Sequence, residues 1–271
     1  MKIQEVIDAL EQFAPLPLQE SYDNAGLQVG LTEADVSGAL LCLDVTESVI
    51  DDAVARGCNL IIAHHPLLFR GLKMVSDADY VQRSVWKAVQ NNVCIVAMHT
   101  NLDNAYGGVN HEIASLLGLE NVTFLAGQRT IPDPYGGMTP QSQLTGGSGI
   151  IGTLGQDTDP ETFIHDVKRV FGAECCMTNH LLGRKIRTVA LCGGAGAFLL
   201  RDAIRQGADA FITGEMSYHE FFGHDQEIQI MAIGHYETEQ YTVRIFRRII
   251  SSLCPSLPIY EYGATNPIRY W

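Results

Sequence analysis

The stretch LLCLDVTESVIDDAVARGCNLIIAHHP, residues 40–66, decides the fold. Its first apolar run belongs to a buried strand predicted over residues 39–45, and Thr46 can cap a helix that ends at Gly57. A second apolar run, residues 60–63, predicts another strand and leads directly into two histidines and a proline. Strand, helix and strand in this order are typical of a parallel α/β sheet.

The same pattern recurs 150 residues later. Laying residues 40–62 on residues 190–212 gives six identities, and each copy reads as strand, helix, glycine and strand. Any two crossover units share some likeness, but in both copies polar residues able to bind a metal follow the strands. We therefore predict an α/β fold made of two similar units that arose by internal duplication.

The flanking segments extend this pattern to the whole chain. Helices are predicted over residues 3–13, 80–90, 109–117 and 160–171, and from about residue 239 to 253, with a loop over 22–30. Residues 127–155 are rich in Gly, Pro, Ser, Thr and Gln, which favours a boundary or surface connection. We predict a first unit over 1–126 and a second over 127–271, with the C-terminal segment packing back on the first.

The composition excludes several classes of protein. The net charge of −13 argues against a broad surface for nucleic acid or anionic lipid. The seven cysteines are odd in number and lack C-x-x-C spacing, which indicates reduced thiols and a cytoplasmic protein. Acidic residues in the first helix argue against a signal peptide, and we expect no membrane-spanning segment.

His64 and His65 are the strongest candidates for ligands. They follow a buried strand, and open α/β sheets place their sites at the carboxyl ends of strands. Pro66 favours an extended conformation for His65. The alternative is one packed histidine beside an exposed one, which is the usual interpretation of a solitary histidine.

Asp103, His235 and Glu239 also follow predicted strands. Asp103 is equally compatible with a turn, and Thr238 with Glu239 is compatible with a helix cap, although a cap leaves His235 unexplained. With His64 and His65 they provide nitrogen and oxygen ligands suited to two divalent cations that share a carboxylate. Zn, Mn, Fe, Co and Ni are all compatible with such ligands.

Further polar residues surround these candidates. His99 and His219 are candidate proton donors, or groups that orient a ligand, and we name them as the catalytic candidates. Glu215 is a base, a group that supports a ligand, or a solvated carboxylate. Asp23, beside Asn24, has the local chemistry of a turn residue.

Together the motifs resemble those of the Ngg-interacting-factor-three-like family, also known as dinuclear metal centre proteins or GTP cyclohydrolase 1 type 2 homologues. The motifs run from residue 22 to residue 268 and read YDNAGLQVG, IIAHHPLLF, HTNLDNAYGGVN, ADAFITGEMSYHE, GHYETE and TNPI. The resemblance implies a two-metal site whose ligands are His64, His65, Asp103, His235 and Glu239, with Glu239 as the bridging residue.

The resemblance also implies two α/β units that face each other across the metal site, and a ring-shaped homohexamer. Longer relatives carry an inserted domain that this chain lacks. Tyr218 stands where some relatives have a second histidine, which leaves one imidazole fewer in that stretch.

The activity implied by the resemblance is a metal-dependent hydrolysis of a small molecule, GTP or another nucleotide, in which the guanine imidazole ring opens and formate leaves. The residues alone are also compatible with two other functions. One is a two-metal phosphoesterase acting on nucleotides, and the other is a ring-shaped metal-binding or interaction protein without catalysis.

Overall fold

The computed structural model describes residues 1–133, 143–263 and 266–271. In these ranges the strands are β1 (Gly26–Val29), β2 (Ala39–Cys42), β3 (Leu60–Ala63), β4 (Cys94–Ala97), β5 (Glu120–Pro132), β6 (Gln143–Thr158), β7 (Met177–Thr178), β8 (Ile186–Cys192), β9 (Ala210–Thr213), β10 (Gln229–Ala232) and β11 (Ile259–Glu261). The α-helices are α1 (Ile3–Phe13), α2 (Glu47–Ala55), α3 (Tyr80–Gln90), α4 (Thr100–Asp103), α5 (Val109–Leu116), α6 (Pro160–Phe171), α7 (Leu200–Arg205), α8 (His235–Glu239) and α9 (Thr242–Leu253).

The chain forms two compact units. Unit 1 contains the described residues of Met1–Ala105, Ile131–Gln143 and Thr242–Thr265, and unit 2 contains those of Tyr106–Thr130, Leu144–Tyr241 and Asn266–Trp271. The domain boundary expected after residue 126 falls within β5 and stays a prediction.

Unit 1 is built on a five-stranded sheet with the order β1-β4-β3-β2-β11. Strands β2, β3 and β4 are parallel, β11 is parallel to β2, and β1 is antiparallel to β4. Every residue of β2, β3 and β4 is buried, because helices cover sheets of this type and the strands are apolar throughout. Val49 and Ile50 of α2 and Ala88 of α3 pack in the same core as these strands.

Unit 2 has a six-stranded sheet with the order β5-β6-β8-β9-β10-β7. Strands β8, β9 and β10 are parallel, while β6 and β7 pair antiparallel to β8 and β10. The strand and helix succession β2-α2-β3 corresponds to β8-α7-β9, and β4 corresponds to β10. The predicted α/β class and internal duplication are confirmed at this level.

Two local expectations were wrong. The segment expected as a loop, residues 22–30, contains the edge strand β1. The connection expected over residues 127–155 is largely strand, since β5 and β6 are neighbours in the sheet of unit 2. The part of that connection over residues 134–142 lies outside the described residues.

The C-terminal helical region also differs from the expectation. The helix expected from about residue 239 consists of two helices, α8 and α9, and α8 begins at His235. Gly234 precedes it with a φ of 111°, a conformation that glycine adopts readily.

The seven cysteines are free thiols. Among the described residues, no helix combines the length and the apolar character that a bilayer crossing requires.

Candidate metal centre

Histidines follow the carboxyl ends of parallel strands in both units. His64 and His65 come directly after β3, His99 follows β4 by one residue, and His235 follows β10 by two residues. Ligand sites of open α/β sheets lie at this edge, so the fold places these side chains where function is expected.

In unit 1 three imidazoles form a cluster. The ligand-capable nitrogens of His64, His65 and His99 lie within 4.8 Å of one another. Their ring centroids are separated by 4.9 Å, 5.3 Å and 5.5 Å. His64 is fully buried, and the other two are partly exposed. Neutral imidazoles at this spacing can bind a cation together.

Each of these rings is held by a hydrogen bond from Nδ1 to an oxygen. The bonds run from His64 to the carbonyl of Met98 at 2.8 Å, from His65 to Asp44 at 2.7 Å and from His99 to Asp23 at 2.7 Å. Because a carbonyl or carboxylate oxygen accepts, Nδ1 carries a proton, and Nε2 is the ring nitrogen that would bind a cation. Histidines that bind metals are oriented in this way.

Asp23 is the buried partner of His99, and its side chain has no exposed surface. It also accepts hydrogen bonds from the backbone N–H and the hydroxyl of Thr100. Burial raises the pKa of Asp23, but the bonds from His99 and Thr100 outweigh burial and lower the pKa from 3.8 to about 2. Asp23 is therefore ionised at neutral pH and fixes the ring of His99.

Replacing Asp23 by asparagine should lower the free energy of unfolding by about 2 kcal/mol at neutral pH. The pKa of Asp23 is lower in the folded state, so its stabilisation is complete above about pH 4 and is lost as the pH falls through about 2. Urea unfolding over this pH range measures the effect.

The control is Asp35→Asn, which removes an exposed carboxylate paired with Lys2 and should leave the stability unchanged. If Asp23→Asn lowered the free energy of unfolding equally at pH 7 and pH 2, the stabilisation would not come from the ionised carboxylate.

Asp103 lies at the end of α4, four residues after His99. Its Oδ1 is 3.7 Å from Nε2 of His64. This is longer than a hydrogen bond and close to the separation of roughly 3.4 Å between two tetrahedral ligands bound at 2.1 Å. The donor atoms and their spacing therefore fit a divalent cation.

In unit 2 the candidate ligands lie on one short helix. His235 begins α8 and Glu239 ends it, and Nε2 of the histidine is 3.0 Å from Oε2 of the glutamate. Nδ1 of His235 is 2.8 Å from Oε1 of Glu215, which follows β9. The four-residue spacing puts both ligands on one face of the helix, and the second nitrogen of His235 is held as in unit 1.

Gly194 makes room for Glu239. A Cβ on Gly194 would overlap the carboxylate. Gly194 also has a left-handed φ of 58° and donates its N–H to the hydroxyl of Thr238 at 3.0 Å. The backbone after β8 thus packs closely against the carboxylate of α8.

The structure brings together part of the predicted set within each unit. His64 and His65 lie together in unit 1, where His99 joins them, and His235 lies beside Glu239 in unit 2. Their roles as ligands stay predictions.

His219 occupies an exposed turn and packs near Tyr218, with ring centroids 5.2 Å apart. Its catalytic role also stays a prediction.

Two supporting carboxylates were not recognised from the sequence. Asp23 does close a turn, since its N–H donates to the carbonyl of Glu20, but its carboxylate also bonds to His99 and Thr100, which the turn interpretation did not include. Asp44 was not singled out, although it follows β2 and therefore lies at the same edge of the sheet as His65. Its position after a buried parallel strand is the signal that identifies it.

Comparisons with known proteins show which family the chain resembles. A model of the Duf34/NIF3 (NGG1p interacting factor 3) family matches residues 1–267. A "GTP cyclohydrolase 1 type 2 homolog" from Clostridium acetobutylicum is 28% identical over 269 residues, which covers 99% of this chain and 94% of the relative. Another protein of that name from Lactococcus lactis is 31% identical over 274 residues, with 98% of each chain covered.

Solved structures show the same similarity. Staphylococcus aureus protein SA1388 has a TM-score of 0.87 at 26% identity, with 100% of this chain and 99% of that chain covered. A Bacillus cereus protein related to NIF3 has a TM-score of 0.86 at 25% identity, again with 100% and 99% of the two chains covered.

Proposed function

Because the chain belongs to the Duf34/NIF3 (NGG1p interacting factor 3) family, we propose that it is a hydrolase that uses two divalent cations and acts on a nucleotide, GTP being the first substrate to test. The name carried by relatives such as those from Clostridium acetobutylicum and Lactococcus lactis supports this substrate class. The proposed reaction opens the guanine imidazole ring by addition of water at C8, and a second hydrolysis releases formate.

The observation that carries the proposal is the way the imidazoles are held. Nδ1 of each of the four histidines is hydrogen-bonded to an oxygen, so Nε2 is the ring nitrogen that would bind a cation. Histidines that bind metals commonly show this arrangement, and the four histidines that show it here follow the carboxyl ends of parallel strands.

The residues that would hold the cations are His64, His65, Asp103, His235 and Glu239. Three imidazoles and two carboxylates suit divalent Zn, Mn, Fe, Co or Ni. Bound cations of this kind lower the pKa of coordinated water, which supplies a nucleophile at neutral pH.

Other side chains support the ligands and the proton transfers. Asp44 orients His65, and Glu215 orients His235. We assign the proton transfer to His99, whose ring Asp23 holds beside His64 and His65, and we keep His219 as the second candidate.

The test starts with protein purified without chelators. We expect about two equivalents of metal per chain by mass spectrometry and release of formate from GTP. Release of phosphate instead would identify a phosphoesterase, and metal without either product would indicate a non-catalytic metal-binding protein.

The matched variants are His65→Ala and His165→Ala. His65 lies in the imidazole cluster, and its removal should lower the metal content, while His165 is an exposed histidine on α6 and its removal should not. Equal metal content in both variants, or metal-free wild-type protein after incubation with metal, would overturn the proposal. Sedimentation of the wild type measures the predicted hexamer.

A further inference from the structure

Unit 2 contains a cavity of about 670 Å³ that none of the candidate ligands lines. Aromatic and thioether side chains make up much of its wall, namely those of Tyr218, Phe221, Phe222, Met177 and Met216. Its volume lies within the range of about 300–1,000 Å³ found for small-molecule sites.

Two of these aromatic rings are exposed to an unusual degree. Tyr218 is 72% exposed and Phe222 is 61% exposed, and their ring centroids are 5.2 Å apart at an interplanar angle of 74°. An aromatic ring exposed to this extent offers a π-face on which a planar heterocycle can stack. An occupant of this type would remove both rings from water.

The polar groups of the wall determine which occupant fits. Asp225 contributes a carboxylate, Thr178 a hydroxyl and His180 an imidazole, while the amide of Asn179 is bonded within the protein to Ile228 and Ile230. The described residues that line the wall include no lysine or arginine. A carboxylate accepts from neighbouring N–H groups, such as the ring N–H and the amino group of guanine, but it repels phosphate. With a carboxylate and neither lysine nor arginine, the wall suits the base of a nucleotide better than its phosphates.

The cavity is also adjacent to the candidate centre along the chain. Met216 lines this cavity and a smaller one of about 290 Å³, whose wall includes Glu215. Glu215 is the carboxylate that holds His235. A base in the larger cavity would thus lie beside Met216, whose neighbour in the sequence, Glu215, orients the candidate ligand His235.

We propose that this cavity binds a guanine-type purine base that stacks on Tyr218, meets Phe222 at its edge and is hydrogen-bonded to Asp225. The assignment of the substrate base rests on the proposed function, but base binding itself is measurable without turnover.

The probe is guanosine, which has the base and no phosphate, added to metal-loaded protein in equilibrium dialysis. Tyr218→Ala and Asp225→Asn should each weaken guanosine binding by about tenfold or more, while Tyr218→Phe should retain it. The controls are Tyr80→Ala, which removes an exposed aromatic ring from unit 1, and inorganic triphosphate, which should not compete with guanosine. Circular dichroism and metal content establish that each variant is folded and loaded.

Three results would overturn the proposal. These are absence of guanosine binding to the wild type, equal binding by Tyr218→Ala, and a change of sedimentation coefficient in Tyr218→Ala that identifies the rings as an interface between copies. Guanosine binding lost in Tyr218→Ala, without formate release by the wild type, would support the cavity and reject the hydrolase. Formate release by the wild type, with unchanged guanosine affinity in the variants, would support the hydrolase and reject the cavity as its base site.

Discussion

Glu239→Gln should lose most of the bound metal and lower hydrolysis on the order of 100-fold. The substitution keeps the size of the side chain but replaces a charged oxygen by an amide, which binds divalent cations more weakly and cannot bridge two of them. Glu239 is suited to this test because it is buried and its Oε2 lies 3.0 Å from Nε2 of His235. Metal per chain and initial rates on the same samples measure the effect.

The matched control is Glu237→Gln on the same helix. Glu237 is also buried, but its Oε1 accepts a hydrogen bond at 2.8 Å from the amide of Asn266, and a glutamine oxygen can accept the same bond. This variant should keep its metal and its activity. Undiminished metal in Glu239→Gln would reject the assignment of Glu239 as a ligand.

Gly194→Ala should destabilise the protein by about 3 kcal/mol and reduce its metal content. About 1 kcal/mol comes from the left-handed φ of 58°, which alanine tolerates poorly, and about 2 kcal/mol from the overlap of the new Cβ with the carboxylate of Glu239. The overlap must move the carboxylate or the backbone after β8, and either change disturbs the ligand. Thermal unfolding with and without added metal separates the two effects.

Gly207→Ala isolates the conformational part of this loss. Gly207 has a φ of 73°, but a Cβ at this position meets nothing within 4 Å. We expect a loss of about 1 kcal/mol and unchanged metal content. Equal destabilisation by the two alanines would show that Gly194 does not serve the close approach of Glu239.

The sequence predicted those features of the fold and the site that depend on the local pattern of apolar and polar residues. The strand β3 is an uninterrupted apolar run, so its end and the position of His64 and His65 could be located in advance. The repeated strand and helix pattern likewise predicted that β9 and β10 lead into further polar residues.

Contacts between distant segments were harder to predict. Asp23 is a turn residue by its neighbours, yet its carboxylate bonds to Thr100, 77 residues later in the sequence. Nothing in the local sequence distinguishes such a residue from an ordinary turn.

The strand β6 was missed because its glycines resemble a linker. A Cβ on Gly147 would lie 2.8 Å from Cβ of Phe124, and a Cβ on Gly152 would lie 2.9 Å from the carbonyl oxygen of Glu120. Both positions need glycine because a neighbouring segment of β5 approaches them closely. The glycines that make this segment resemble a flexible connection are there because β5 packs tightly against it.

The pairing of β11 with β2 has a consequence for synthesis of the protein. Tyr262, which follows β11, reaches the hydroxyl of Ser48 from 214 residues away, and α9 packs on α1. The ribosome therefore completes β8, β9 and β10 while the edge of β2 still lacks its last neighbour. An uncovered strand edge invites pairing with other chains, so the nascent first unit is the part that most needs a chaperone until translation ends.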